Sequence, residues 1–143
     1  VYADFLIIVC DASSPDMIAN YTTTVQVLEE LGATDKPAIV LANKIDKMED
    51  DFAVSRLRSM YTPVIESSIV TQEGLDLLVD EIGELLRRIR PLSTYLIPND
   101  RHDLVAHIHR WGQVQQIEYT EAGIFVKARI DGRYRGPLEP FLQ

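Results

Sequence analysis

The sequence has one cysteine, Cys10, and three histidines, His102, His107 and His109. A lone cysteine excludes a disulfide framework and offers no paired thiolates to a metal. Set inside the apolar run Phe5–Cys10, it reads as a buried core thiol. The histidines are spaced by five and two, which puts them on different faces of a helix, so they read as solvated positions and no metal site is expected. No apolar run approaches the about twenty residues that span a bilayer, and no signal peptide opens the chain. Together with the missing disulfides, this points to the cytoplasm. Ser67 and Ser68 have no base placed to activate them as nucleophiles. A G-x-x-x-x-G-K-[ST] phosphate loop is also missing. One D-x-x-G match, Asp80 to Gly83, falls inside a helical pattern and carries nothing. Nor does the chain open on Met. Val1-Tyr2-Ala3-Asp4 runs almost directly into an apolar strand, which a whole domain rarely does, so the expectation is a fragment of something longer.

What is present is an ordinary globular mix: 143 residues, 46% hydrophobic and 25% charged. That length fits one domain, or one with a small appendage. The formal charge of −8 is unevenly spread, with 8 basic and 16 acidic residues in 1–91 against 6 and 6 in 92–143. The acidic balance argues against general nucleic-acid binding by the first part.

In chain order, Phe5–Cys10 predicts a buried strand. Ser14 and Pro15 suit the N-cap and first position of a helix carrying Met17, Ile18, Tyr21, Val25, Leu28 and Leu31, with Gly32 as its stop. Ala38–Ala42 is a second buried strand. Glu49-Asp50-Asp51 leads a helix with Phe52, Leu57 and Met60 inward. Pro63–Ile65 is a short strand. Glu73–Arg90 is the clearest helix, with Leu75, Leu78, Val79, Ile82, Leu85, Leu86 and Ile89 in one stripe and Arg87, Arg88 and Arg90 at its C-terminus. Three strand–helix units in series make half of a doubly wound α/β sheet, residues 1–91. Pro91 marks the boundary. Residues 92–143 read as a small β-α-β-β module of the α+β kind. It has a strand Leu92–Ile97 and a helix capped by Asn99 or Asp100 and holding Leu104, Val105, Ile108 and Trp111. Strands Val114–Tyr119 and Ile124–Ile130 follow. Half a sheet leaves an edge and apolar helix faces uncovered, so the isolated chain is expected to associate with itself.

The stretch with chemical content is Asn43-Lys44-Ile45-Asp46, which follows the second strand. In open α/β sheets, ligands bind at the carboxyl ends of strands. Asp46 is an acceptor-only carboxylate. Guanine offers two adjacent donors on its Watson–Crick edge, and two parallel charge-assisted bonds match them. Adenine has neither donor and would leave the carboxylate unpaired. Lys44 has a stem long enough to lie on a purine. Asn43 can serve the base edge and tie neighbouring loops together. The bland alternative is a polar loop with a capping Asp. The N-K-x-D pattern resembles the guanine-specificity motif of translation-factor-class GTPases.

Taken with Ile8-Val9-Cys10-Asp11-Ala12-Ser13, Thr71-Gln72-Glu73-Gly74-Leu75, Asp103–Arg110 and Gln116–Gly123, that motif makes nearly the whole chain resemble the C-terminal portion of an HflX-type ribosome-associated GTPase. The resemblance implies the second half of a P-loop-type GTPase (G) domain followed by a small C-terminal domain. It implies GTP or GDP as ligand, read by Asn43, Lys44 and Asp46. Ser68, Ile69 and Val70 stand where such proteins usually carry Ser-Ala-Lys, and there a backbone N–H contacts the base. The partner implied is the large ribosomal subunit and its RNA, and the activity is GTP-dependent splitting or rescue of ribosomes. The phosphate loop, the Mg2+ ligands, the water-positioning switch and the N-terminal domain would all precede Val1. Phosphoryl transfer is mostly positioning and charge stabilisation by those parts, so this chain alone is expected not to hydrolyse GTP and to bind it weakly. The alternatives are another ribosome-associated GTPase of the same superfamily, or an interaction module with no nucleotide role.

Lys127, Arg129, Arg133 and Arg135 recur at even spacing. On an extended segment that puts them on one face, opposite Ile124, Val126, Ala128 and Ile130. They form a candidate RNA-contacting stripe, the alternative being an ordinary solvated face broken at Gly132.

Overall fold

The computed structural model describes residues 3–143. Val1 and Tyr2, part of the expected lead-in to the first strand, lie outside them. The chain forms two compact units, which divide at Gly83/Glu84. That division falls inside a helix, ahead of Pro91.

The first unit holds a three-stranded parallel sheet, in the order β1 (Leu6–Asp11), β2 (Ala38–Asn43), β3 (Val64–Glu66). The middle strand β2 is the unbroken apolar run, and Ile39 through Ala42 are all buried. β1 was expected to be buried throughout, but its burial alternates. Ile8 and Cys10 face Met17 and Tyr21 of helix α1 (Met17–Glu30), whereas Ile7 and Val9 are exposed, Val9 by 61%. Alternation is what a strand shows when only one face is covered.

Helix α1 starts two residues later than Ser14 and Pro15 suggest. Asp16 takes the cap position, and the Ser14 hydroxyl accepts a bond from the Asp16 N–H in the preceding turn. Gly32 follows the helix end with φ +64°, as its stop requires. Helix α2 (Phe52–Met60) corrects the expected inward set. Leu57 is buried, but Phe52 is 74% exposed and Met60 is exposed as well. With Val54 and Leu57 buried and Ala53 and Tyr61 partly so, the stripe advances by three and four residues. Phe52 and Met60, at the two helix ends, fall outside it.

Helix α3 (Leu75–Ile89) carries the expected stripe in narrower form. Leu75, Leu78, Ile82, Leu85 and Ile89 are half-buried, while Val79 and Leu86 are exposed. The half-buried residues alternate steps of three and four, the spacing of a seam rather than a broad face.

In the second unit, the antiparallel sheet has the order β4 (Leu92–Ile97), β6 (Gly123–Ile130), β5 (Gly112–Thr120). Helix α4 (His102–Trp111) lies between β4 and β5 in sequence. Its cap position is Arg101 rather than Asn99 or Asp100. Asn99 is engaged elsewhere, donating from Nδ2 to the Thr120 carbonyl at 3.1 Å. The central strand β6 alternates strictly. Ile124, Val126, Ala128 and Ile130 are fully buried against Leu104, Val105 and Ile108, with Tyr95, Ile97 and Leu138 closing the core. Trp111 departs from the inward set expected of α4. As the last residue of the helix it is 38% exposed and stacks on Tyr134. Among the described residues no helix is long and apolar enough to cross a membrane.

Candidate functional site

The carboxyl ends of β1, β2 and β3 bring together three polar segments. Asp11 and Asn43 are register partners at the ends of β1 and β2, and Ala12 N–H donates to the Asn43 carbonyl at 2.7 Å. Lys44 follows in the left-handed region, φ 66° and ψ 33°. A non-glycine residue held there marks a loop whose surroundings fix its course. A short 3₁₀ turn, Ile45–Lys47, then presents Asp46.

Each residue of the motif has a partner that explains its position. Asn43 Oδ1 accepts from Ser67 Oγ and from Ile69 N–H, both at 3.3 Å. Asp46 Oδ1 accepts from Ser68 Oγ at 2.7 Å, and Ser68 Oγ in turn accepts from Thr71 N–H at 3.1 Å. Ile45 N–H donates to the Ser67 carbonyl at 3.2 Å. The loop after β2 and the loop after β3 are therefore laced by four bonds, with Ser67 and Ser68 fully buried beneath them. Asp46 itself is exposed, and among the described residues its Oδ2 takes no hydrogen bond. A carboxylate has about four lone-pair sites, so the Ser68 bond leaves both oxygens able to accept from a ligand.

Lys44 Nζ reaches the Asp11 carboxylate at 2.8 Å, so its stem spans the gap between the ends of two strands. The same carboxylate accepts from Ser13 N–H at 3.0 Å and from Ser13 Oγ at 2.6 Å. The Lys44 bond, helped by Ser13, holds the Asp11 carboxyl down to about 2. Asp11 in turn raises the Lys44 ammonium. The pair thus stays charged at neutral pH, and the lysine stem stays extended.

Of the six residues expected at a base, Asn43, Lys44, Asp46 and Ser68 stand in one bonded cluster. Ile69 joins it through its N–H, and its side chain is exposed. Val70 is 82% exposed. Reading by residue type missed Asp11 as the anchor of Lys44 and Ser67 as a partner of Asn43. The signal for Asp11 was its place at the end of the strand beside β2. Nothing local in Glu66-Ser67-Ser68 marked the two serines as buried fasteners.

The four residues of the expected basic stripe do not share one face. Lys127 and Arg129 do, on the side of β6 away from its core. The strand ends at Ile130, and Gly132–Tyr134 is a 3₁₀ turn capped by Asp131, so the even spacing no longer places Arg133 and Arg135 with them. Arg135 Nη2 donates to the Ile130 carbonyl at 3.3 Å.

The chain is 38% identical over 147 aligned positions to the GTPase HflX of Akkermansia muciniphila, covering 99% of this chain and 33% of that protein. It is 30% identical to GTPase HflX of Caldanaerobacter subterraneus subsp. tengcongensis, covering 99% and 32%. The chain is related to the C-terminal portion of HflX-type GTPases. It spans about a third of the length of the curated relatives it matches. No protein-family model matches it. Among solved structures, a chain of SsGBP aligns with 59% of this chain and 33% of its own length, at 33% identity and a TM-score of 0.49. The parallel sheet of the first unit and the separate antiparallel sheet of the second make a mixed α/β fold.

Proposed function

We propose that residues 1–91 read the guanine base for an HflX-type GTP-binding protein, and that residues 92–143 contribute to its contact with the large ribosomal subunit. The observation that carries the first part is the exposed Asp46 carboxylate, fixed by Ser68 at the tip of β2 and open at Oδ2. In this reading Asp46 accepts from the two Watson–Crick donors of guanine. Lys44, stretched toward Asp11, lays its stem along the purine. Asn43 and the backbone N–H of Ile69 face the opposite edge of the base. The Asn43–Ile69 bond at 3.3 Å is long for N–H···O, so that N–H can be shared with a base oxygen. Val70, in place of the usual Lys, supplies no stem on that side. Among the described residues no group of three His, Cys, Asp or Glu stands ready for a metal ion. In this reading the phosphates and Mg2+ of the nucleotide, and its hydrolysis, are the work of the phosphate-binding segments of such a GTPase. Splitting or rescue of ribosomes would be the work of the longer protein, driven by the nucleotide state read here. The resemblance to HflX-type ribosome-associated GTPases supports this partner, as do the 9 basic against 7 acidic side chains of residues 84–143.

The test is Asp46→Asn in a version that includes the phosphate-binding segments. An asparagine amide offers a donor where xanthine has its 2-oxo acceptor. GTP affinity should fall and xanthosine triphosphate affinity should rise, with discrimination that in favourable polar sites reaches about four orders of magnitude. GTP binding unchanged in the variant would remove Asp46 from the base site.

A further inference from the structure

The two units differ in charge more sharply than the whole chain suggests. Residues 1–83 carry 5 basic and 15 acidic side chains, and residues 84–143 carry 9 and 7. Five of those nine basic residues, Arg87, Arg90, Arg110, Arg129 and Arg133, line a single cleft of about 650 Å³. One carboxylate, Asp131, stands among them, and Glu84, outside the lining, pairs with Arg87; the lining residues alone have a formal excess of four positive charges.

The arginines are held in place. Asp131 is buried and receives Arg133 as a fork, Nε to Oδ1 at 3.0 Å and Nη2 to Oδ2 at 3.1 Å, with Arg90 Nε 3.7 Å from Oδ2. Arg129 Nη1 donates to the Arg90 carbonyl at 3.2 Å. Trp111 and Tyr134 stack with centroids 4.3 Å apart and planes at 8°. The Arg110 guanidinium lies 5.0 Å over the indole and the Arg133 guanidinium 5.7 Å over the phenol. Rings that close leave no room between them, so the two cations cover the outer faces. A guanidinium lying over a ring can still donate from its edge to an anion, as Arg110 can here, whereas the Arg133 edge is taken up by Asp131.

We propose that this cleft grips the phosphodiester backbone of a folded RNA. It rests on the RNA-partner part of the function proposed above and names the surface that makes the contact. Guanidinium donors suit phosphate oxygens, and the Asp131 fork holds the Arg133 charge at a fixed place beside them. The aromatic pair has guanidiniums on both outer faces and offers no free face to a base. That favours backbone contact over capture of a free nucleotide or a splayed base. Four excess charges suit several phosphates in a row. The acidic first unit keeps the rest of the surface from adsorbing RNA at random.

Trp111 is the chain's one tryptophan and forms part of the cleft wall, so its emission reports occupancy. Titration of the 143-residue chain with a short RNA hairpin should change that emission saturably. For four contacts the log–log salt slope should be about −3, at roughly −0.7 to −0.9 per phosphate. Arg87→Gln with Arg110→Gln should bring the slope to about −1.5 and weaken binding by about tenfold or more at low salt. Arg87→Gln alone, at an exposed helix position, should show half that change in slope and guards against a folding defect in the double variant. Lys127→Gln, on β6 but outside the cleft, should keep the emission change. No emission change with the hairpin, or an unaltered slope in the arginine variants, overturns the proposal. So does an equal response to inorganic tripolyphosphate or to polyglutamate. Asp46→Asn should leave hairpin affinity unchanged, which separates this test from the guanine reading. Hairpin binding without binding to purified large subunits would support the cleft while removing the ribosome as its partner.

Discussion

Gly74 offers a sharp test of how the loop after β3 is held. Its φ is +76°, and a methyl group there would sit 2.0 Å from the Glu66 carbonyl oxygen and 3.2 Å from Ser67 Cα. Gly32 is the internal control, with φ +64° and nothing within 4 Å of the same added atom. Both Gly→Ala changes meet the left-handed cost of about 1–2 kcal/mol, offset in part by about 0.4–1 kcal/mol from a stiffer unfolded chain. Gly32→Ala should therefore cost about 1 kcal/mol or less. Gly74→Ala must also move the Glu66–Ser67 backbone by about 1 Å before the contact becomes tolerable. That shift strains the bonds Ser67 N–H to Ala42 carbonyl, 2.9 Å, and Ser68 N–H to Glu73 carbonyl, 3.0 Å. Losing one buried bond costs about 1–3 kcal/mol, so the total for Gly74→Ala is about 3 kcal/mol. At about 4–8 °C per kcal/mol for a domain of this size, the first unit should melt at least about 12 °C lower. Urea unfolding followed by circular dichroism, at constant m-value, measures both variants. Equal midpoints for Gly32→Ala and Gly74→Ala would refute the close approach at Gly74.

Asp11 is held down to about 2 from an ordinary 3.8, so its pairing with Lys44 should be intact above about pH 4 and lost as pH falls through about 2. Lys44→Met should return the Asp11 carboxyl part of the way, with Ser13 retaining the remainder. Carboxyl NMR titration reads this directly, and an unmoved midpoint would deny the ion pair in solution. In α2, Leu57→Ala should cost about 2–5 kcal/mol as a fully buried leucine, whereas Phe52→Ala should change stability by about 0.5 kcal/mol or less. Denaturant midpoints decide it, and a large loss at Phe52 would restore the inward reading of that residue.

The strands, helices and their order were legible because apolar runs and periodic stripes are local signals. β2 and β6 show it best, one continuous and one alternating, and both kept their expected register of inward residues. The failures sit where neighbours decide. Whether β1 is buried on one face or two depends on what covers it, which Phe5–Cys10 cannot state. Phe52 and Met60 are apolar but fall off the phase of the Val54–Leu57 stripe, at either end of the nine-residue α2. The motif Asn43–Asp46 was visible as residue types. Its supports, Asp11, Ser67 and Ser68, come from other strand ends and were set by parallel register. The arginine cleft joins Arg87, Arg110 and Arg129, each from a different element, and even spacing along one strand pointed to only part of it.

The lacing between the loops after β2 and β3 bears on how the tip of the sheet breathes. Ser68 Oγ donates to Asp46 while accepting from Thr71, and Ile45 N–H rests on the Ser67 carbonyl. Neither loop can detach without releasing the other. Opening there is thus a single cooperative event, and the amide protons of Ile45, Ile69 and Thr71 should trade with solvent at one common rate. A ligand that braces either loop slows that event for both, so its arrival at one strand end is registered at the next without any change of shape.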